Sequence, residues 1–341
     1  MAYAIATLTK GGGDDAHYQM LAQIKTLAEA VGWTTQRYDT SIAERELILF
    51  SDGTSGTESI YIGFKCYQSV GADYYNIISS CFTGYVPANA FESQPGYRGS
   101  GVPSHNLSCT YFMTANKRRI VGCMKVGSPV YTHFHAGKGL VWMRPGDFPS
   151  PLVAAGHFDG REAKRYSDAN WFPYKGIKGS ADSGYNDGHL YLRDQTGTWS
   201  KRRISPFSNA GGTSTSYTAL ADSYVGGTGA GSRCLVPAGS TYQPQPLVLY
   251  DLAFGTFNAT SQSYPATGNV YGVLDGVFMN SGFNNTAETV MQVGGSSVVN
   301  QTGMTVLQAV DAIRAVSGRA FVMLPDGSRN SWCDFIALEM T

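Results

Sequence analysis

The sequence predicts a strand-dominant α+β fold in which one N-terminal helix packs on antiparallel hairpins. Three observations lead to this prediction. A single helical repeat of apolar residues lies near the start, alternating apolar runs separated by turn formers follow it, and only 15% of the 341 residues are charged. Glycine supplies 41 residues and tyrosine 21, which is typical of a β-rich protein with much uncharged polar surface. A chain of this length can bury a core without disulfides or metal ions.

The helix is predicted from Asp14 and Asp15 to Gly32. The two aspartates offer side-chain oxygens suited to capping a first turn, and glycine commonly follows a last turn. Between them, apolar residues recur at helical spacing: Leu21, Ile24, Leu27, Ala28 and Val31. Trp33 comes directly afterwards, and its ring can fold back onto this apolar stripe.

Two hairpins are predicted after the helix. The first lies in ELILFSDGTSGTESIYIGFKCYQ, residues 46–68, where two apolar or alternating runs flank a turn of Gly, Ser and Asp. The second has arms from Leu107 to Met113 and from Arg119 to Val126, joined by a turn at Ala115–Lys117.

The chain is predicted to have three parts. Residues 1–147 form an N-terminal α+β body. Residues 148–245 are dense in turn formers, interrupted by short strands such as HLYLRD and TWSKRRI, and form a loop-rich insertion ordered by its neighbours. Residues 246–341 form a C-terminal β-rich part that packs with the N-terminal body. This part contains short strands in NVYGVLDGVFMN, a helix over Thr305–Ser317 and a closing hairpin in RAFVMLPDGSRNSWCDFIALEM.

Charge and hydropathy exclude several classes of protein. Lys and Arg number 25 and balance 25 Asp and Glu, which argues against nucleic acid as the main partner because phosphate binding needs a basic face. No apolar stretch of about 18 residues suggests a membrane span, and no secretory signal is expected at the N-terminus. The cysteines form no CxxC pair and are expected to be reduced and buried. They are Cys66, Cys81, Cys109, Cys123, Cys234 and Cys333.

The candidate metal ligands are His133 and His135, which alternate in VYTHFHAGKG and would share one face of a strand. With His157 as a third ligand they could bind a transition metal. The favoured interpretation is instead a polar pair on an exposed or intersubunit sheet face, which could also form a shared site on a symmetry axis. Motifs for phosphate-binding loops and catalytic nucleophiles are incomplete. The protein is therefore predicted not to be an enzyme, and no catalytic, cofactor-binding or metal-binding residue is assigned.

Two further features could bind a partner. The basic clusters Lys117–Arg119 and Lys201–Arg203 could contact nucleic acid or an anionic glycan, although a solvated turn is the favoured interpretation of the first. The aromatic segment Tyr166–Gly176, which includes Trp171 and Tyr174, could stack on sugars or pack at a protein interface. The low charge of the chain favours the interface.

Five segments carry a resemblance to a known family. In chain order they are ERELILFSDGTSGTESIYIGFKCYQSVGADYYNI, TGYVPANAFESQPG, YFMTANKRRIVGCMKVGSPVYTHFHAG, NVYGVLDGVFMNSGFNNTAET and GRAFVMLPDGSRNSWCDFIALEM. This order resembles virion structural proteins of tailed bacteriophages, which are described as structural or tail-associated. The resemblance covers residues 17–160 and 245–341, and its motifs are architectural. Residues 303–318 depart from it, because they form a longer approach to the last hairpin.

The resemblance implies a non-enzymatic structural subunit of a virion, placed in the tail at the baseplate or the tail-fibre attachment region. Such a subunit would bind other virion proteins and copies of itself in a symmetric assembly, need no cofactor and assemble in the cytoplasm of the bacterial host. Three alternatives stay open. They are a neck, collar or capsid-surface component, a tail-tip protein that binds a host receptor or surface glycan, and a metal-dependent enzyme that uses His133 and His135.

Overall fold

The computed structural model confirms the predicted fold class. It describes residues 1–11, 13–127, 130–141, 151–161, 173, 189–193, 197–201, 244–249, 272–280, 292–293, 296–297, 313–316, 319–325 and 335–340. Within these ranges strands dominate, and a single α-helix near the N-terminus packs on antiparallel sheets.

The N-terminal elements are β1 (Ala2–Thr9), α1 (Ala16–Ala30), β2 (Thr34–Asp39), β3 (Glu46–Ser51), β4 (Ile60–Ser69), β5 (Tyr74–Phe82), a 3₁₀ turn (Phe91–Ser93), β6 (Arg98–Pro103), β7 (Ser108–Ala115), β8 (Arg119–Lys125), β9 (Tyr131–Lys138) and β10 (Leu140–Val141). The later strands are β11 (Leu152–Gly156), β12 (His189–Arg193), β13 (Trp199–Lys201), β14 (Pro244–Leu249), β15 (Gly272–Asn280), β16 (Gln292–Val293), β17 (Ser296–Ser297), β18 (Ile313–Val316), β19 (Arg319–Pro325) and β20 (Phe335–Glu339).

Three large antiparallel sheets form the body. The central sheet has seven strands in the order β1-β7-β8-β9-β11-β12-β13. The meander sheet has five strands, β2 to β6, in chain order. The C-terminal sheet has the order β10-β15-β20-β19-β18, with β14 also paired to β15. Strands β16 and β17 pair with each other. Both predicted hairpins are confirmed, because β3 pairs with β4 and β7 pairs with β8.

The main core lies between the central sheet, the meander sheet and α1. The helix buries Met20, Leu21 and Ile24 against both sheets, as its apolar spacing predicts. The sheet residues of this core include Leu47, Ile62, Phe64, Ile77, Tyr111, Met113, Ile120 and Phe134. Trp33 is buried in the same core, and its Nε1 donates to the carbonyl of Asn116 at 2.7 Å. The helix and the β7–β8 turn are thereby fixed to each other.

The start of α1 differs from the prediction of side-chain capping. Asp15 is the N-cap residue, but its side chain makes no capping hydrogen bond and instead pairs with Lys10. Asp14 pairs through both carboxylate oxygens with Arg45, at 2.6 and 2.7 Å. Both carboxylates lie beside cations from other parts of the chain, and these ion pairs replace the predicted local bonds.

A second core lies on the opposite face of the central sheet, beneath the C-terminal sheet. It is formed by Phe112, Val121, Cys123, Tyr131, Val153, Ala155, Leu190, Leu192, Leu274, Val277, Val322, Leu324, Ile336, Leu338 and Met340. The central sheet is therefore covered on both faces, which explains why β8, β9 and β11 are buried along nearly their whole length rather than at alternate residues.

The helix predicted over Thr305–Ser317 is wrong where the structure describes it. Ile313–Val316 is strand β18, and it pairs with β19 so that Val316 lies opposite Arg319. All four residues of β18 lie opposite residues of β19 in an antiparallel register. Pairing with β19 therefore outweighs the helical spacing of the apolar residues. Residues 305–312 lie outside the described part of the chain.

The described strands of the predicted insertion extend the central sheet. The strands predicted in HLYLRD and TWSKRRI are confirmed as β12 and β13. Strand β11 lies between β9 and β12, so the chain after residue 150 continues directly into the sheet of the N-terminal body. The predicted boundary at residue 148 and the segment 202–243 lie outside the described residues.

Candidate functional site

The histidines predicted as candidate metal ligands are buried in the interior of the protein. His133 and His135 share one face of β9, as their alternation predicts, and both are buried. Their cross-strand neighbours include Val121 and Ala155, which belong to the core beneath the C-terminal sheet. The favoured interpretation of an exposed or intersubunit pair is therefore wrong, because the C-terminal sheet covers this face.

The geometry of the histidines is that of a packed interior. The ring of His157 stacks on that of His133 with centroids 5.9 Å apart and planes 14° apart. The backbone N–H of His133 donates to Nε2 of His157 at 2.6 Å, so the lone pair of that nitrogen is already used. Sγ of Cys123 lies 3.7 Å from Nε2 of His133. In the described part of the chain, no group of three His, Cys, Asp or Glu side chains is arranged to hold a metal ion.

Burial keeps two histidines neutral. It lowers the pKa of His135 to about 3, and the nearby charge of Arg119 acts in the same direction. It also lowers the pKa of His17 on α1 to about 4. Both imidazoles are therefore uncharged at neutral pH, and their packing against apolar neighbours needs no counter-ion.

Asp275 on β15 and the turn between β7 and β8 form a polar group in the interior. Oδ2 of Asp275 accepts from Nδ2 of Asn116 at 2.7 Å and from a guanidinium nitrogen of Arg118 at 3.0 Å. Nε of Arg119 lies 3.7 Å from the same oxygen, and Arg119 is fully buried. We call Asn116, Arg118, Arg119 and Asp275 the Arg119–Asp275 cluster. It joins the C-terminal sheet to the tip of a central hairpin.

The carboxyl of Asp275 is held in its charged form. Burial would raise its pKa, but the charges of Arg119 and Arg118 and the hydrogen bond from Asn116 outweigh burial, so the pKa lies below its usual range. A charge that is both paired and hydrogen-bonded can remain in a protein interior. The cluster is therefore an electrostatic link between two sheets.

Asn116 and Gly276 each have a specific structural role in the Arg119–Asp275 cluster. Oδ1 of Asn116 accepts from the backbone N–H groups of Arg118 and Arg119, at 2.8 and 3.1 Å, so one side chain shapes the turn and also reaches Asp275. Gly276 has φ +82°, a conformation that favours glycine. A Cβ at this position would also overlap the guanidinium of Arg119.

The basic cluster Lys117–Arg119 is only partly the solvated turn that was predicted. The side chain of Lys117 is partly exposed and pairs with Asp52 at 3.1 Å. Arg118 and Arg119 turn inward to Asp275, because the chain folds a carboxylate over the hairpin tip. For the second basic cluster, Arg202 and Arg203 lie outside the described residues, as do Trp171 and Tyr174.

A second charged group lies on the outer face of the meander sheet. Nζ of Lys65 is within 3.2 Å of carboxylate oxygens of three glutamates, Glu44, Glu46 and Glu92. Arg37 pairs with Glu46 at 2.8 Å, and Arg161 pairs with Glu44 at 3.3 Å. Three cations thus meet three carboxylates, so the group is balanced and supports the sheet rather than presenting one sign of charge.

The described cysteines match their prediction as buried, reduced residues. Cys66, Cys81, Cys109 and Cys123 are free and buried. Burial raises the pKa of Cys81 and of Cys109 to about 12, so neither thiol is a nucleophile at neutral pH. Cys234 and Cys333 lie outside the described residues.

No protein-family model matches this chain, and no curated protein has a matching sequence. Among the described residues, the structure contains no helix that is long and apolar enough to cross a membrane.

Proposed function

We propose that the chain is a non-enzymatic structural subunit of a tailed-phage virion, in the tail at the baseplate or the tail-fibre attachment region. The subunit binds other virion proteins and copies of itself, needs no cofactor and assembles in the cytoplasm of the bacterial host. The resemblance to virion structural proteins is the starting point of this proposal, and the structure adds a physical role for the residues that carry it.

The Arg119–Asp275 cluster is the observation that carries the proposal. The motif A-N-K-R-R-I-V, residues 115–121, and the motif L-D-G-V-F, residues 274–278, are both among the resembling segments, and they meet in this cluster. Asn116 and Asp275 are 159 positions apart, yet they form a direct hydrogen bond. The family-like residues thus hold two sheets together, which supports an architectural role.

The surface chemistry supports assembly as the mode of action. Only 15% of the residues are charged and the net charge is zero, whereas large single-sign fields favour free, soluble particles or polyanion binding. Interface cores are depleted in charged residues. A folded body with a sparsely charged surface can therefore bury large areas against neighbours in a symmetric particle.

The test is immunogold electron microscopy of purified particles from the tailed phage whose genome encodes the chain, with antibody raised against the purified protein. Antibody pre-adsorbed with that protein is the control. Label at the tail end is the expected result. Label at the neck or head would overturn the tail location and favour the collar or capsid-surface alternative. Absence of the chain from the particles by mass spectrometry, with the chain present in infected-cell lysate, would overturn the virion role.

A further inference from the structure

In the described part of the chain, no strand pairs with the outer edge of β1, which is the first strand of the central sheet. The backbone N–H of Lys10 donates to the carbonyl of Leu107 at 2.7 Å, which continues the ladder between β1 and β7. In an antiparallel ladder, alternate residues direct both backbone groups to the partner strand. The even-numbered residues of β1 therefore face β7, and the N–H and C=O groups of Tyr3, Ile5 and Thr7 point away from the sheet.

The open stretch has defined ends. The carbonyl of Thr9 already accepts hydrogen bonds from Nε2 of Gln19 at 2.9 Å and from the N–H of Gly11 at 3.0 Å. The available backbone groups thus run from Tyr3 to Thr7 and are centred on Ile5. The side chains of Tyr3 and Ile5 are 51% and 38% exposed, so this edge carries apolar surface as well as unused hydrogen-bonding groups.

The other described edge strands longer than two residues have features that discourage pairing with another chain. These features are a register shift and Arg37 in β2, Pro103 and a bridge from Gly101 to Phe158 in β6, Lys201 in β13, two prolines in β14, and Arg314 in β18. Charged residues, proline and bulges are the usual protection of exposed edges. Strand β1, Ala2–Thr9, has no charged residue and no proline, and its register with β7 is continuous.

We propose that β1 pairs with β1 of a second copy of this chain, antiparallel, about a two-fold axis that passes between the two Ile5 residues. In this register Tyr3 of each copy lies opposite Thr7 of the other, and the two Ile5 residues lie opposite each other. Six backbone hydrogen bonds form, two for each of these three pairs. The two central sheets then become one continuous sheet across the axis.

The symmetry of the open stretch favours a second copy as the occupant. In this register the numbers of two opposite residues sum to ten. Tyr3, Ile5 and Thr7 of both copies therefore lie on one face of the joined sheet, and Ala4 and Ala6 of both copies lie on the other. An isologous interface needs such a self-complementary patch. No charge occurs in the stretch, so no like charges meet when it pairs with itself.

The proposed function includes binding to copies of the same chain, and this inference names β1 as the surface that does so. It rests on the proposed function only for the expectation that the chain self-associates. Dimer formation is measured on purified protein, whereas the virion role is measured on particles. A monomeric chain found in the tail would overturn only this inference, and a β1 dimer that is absent from particles would overturn only the proposed function.

The first experiment is sedimentation velocity of the full chain over a range of about 1 to 100 μM, a concentration range set by the affinity of a modest interface. The wild type is expected to show a concentration-dependent dimer. Ile5→Lys is expected to weaken the dimer at least tenfold, because two lysines meet at the axis. The control is Val70→Lys, at a 74% exposed position in the β4–β5 turn, which should leave the dimer unchanged. A wild type that stays monomeric, or a dimer insensitive to Ile5→Lys, would overturn the proposal.

The second experiment tests the register through cysteine variants. Ala4 of one copy lies opposite Ala6 of the other as a non-hydrogen-bonded pair, with Cα atoms about 4.5 Å apart, which is within disulfide range. A mixture of Ala4→Cys and Ala6→Cys chains should form a disulfide-linked dimer on mild oxidation, and neither variant alone should. Linkage of either variant with itself would overturn this register. A mixture that links no more than the wild type would overturn the pairing.

Discussion

Replacing Asp275 with asparagine tests whether the Arg119–Asp275 cluster is an electrostatic link. Asp275→Asn keeps the side-chain size and one oxygen acceptor but removes the charge. Arg119 is fully buried, so the substitution leaves a buried cation without the carboxylate that lies 3.7 Å from its Nε. Breaking a buried ion pair costs about 3–5 kcal/mol. Because asparagine can still accept from Asn116 and Arg118, we expect the lower end, about 3 kcal/mol.

Asp52→Asn is the matched control for this substitution. Asp52 pairs with Lys117 of the same hairpin turn, but both side chains are 42% exposed. Exposed ion pairs contribute about 0–1 kcal/mol. The assay is the urea midpoint followed by circular dichroism at pH 7. With a denaturant slope of about 3 kcal/mol per molar, Asp275→Asn should lower the midpoint by about 1 M, whereas Asp52→Asn should change it little.

The pH dependence of Asp275→Asn supplies the refuting result. The folded-state pKa of Asp275 lies below the unfolded value, so its contribution is fully present above about pH 4 and is lost as the pH falls through the folded pKa. The difference between wild type and Asp275→Asn should therefore shrink below pH 4. If Asp275→Asn matches Asp52→Asn at pH 7, or if the difference is constant with pH, the electrostatic link is wrong.

Two other predictions follow from backbone strain and buried imidazole. Gly276→Ala should lower the free energy of unfolding by about 1–3 kcal/mol, because Gly276 has a positive φ and a Cβ there would overlap Arg119. The control is Gly71→Ala, which has open space around it and should have little effect. Equal urea midpoints for the two variants would contradict this prediction. His17 should make stability fall by about 3 kcal/mol from pH 7 to pH 4, because the unfolded state binds a proton near pH 6.5 and the folded state only near 4. His17→Phe should remove this part of the pH dependence, and parallel midpoint-against-pH curves for the two proteins would argue against it.

Local patterns were sufficient to predict the helix and the hairpins. The apolar residues from Leu21 to Val31 recur with a single helical period, so the sequence predicts α1 directly. Strand β1 was missed, because alanine supplies three of the eight residues of AYAIATLT and its partner β7 lies about a hundred residues later. The pairing of β1 is a property of the fold rather than of its own composition.

The interior clusters depend on contacts that the sequence does not display. Alternation placed His133 and His135 on one face of a strand, but whether that face is exposed depends on the C-terminal sheet. Arg119 reads as part of a basic turn until β15 brings Asp275 to it. One signal was available, since an isolated glycine after an aspartate in the strand pattern L-D-G-V-F indicates a close approach of another group.

Strands β1 and β7 are neighbours in the sheet but far apart in the sequence, and this affects the order of events during synthesis. Thr7 and Thr110 share a hydrogen bond although 103 positions separate them, so β1 leaves the ribosome roughly 5 to 20 s before its partner is complete. During this interval the meander sheet, whose neighbouring strands follow each other in the chain, can already fold. Until β7 has been made, nascent β1 is an uncharged strand whose two backbone edges both lack a partner strand from the central sheet.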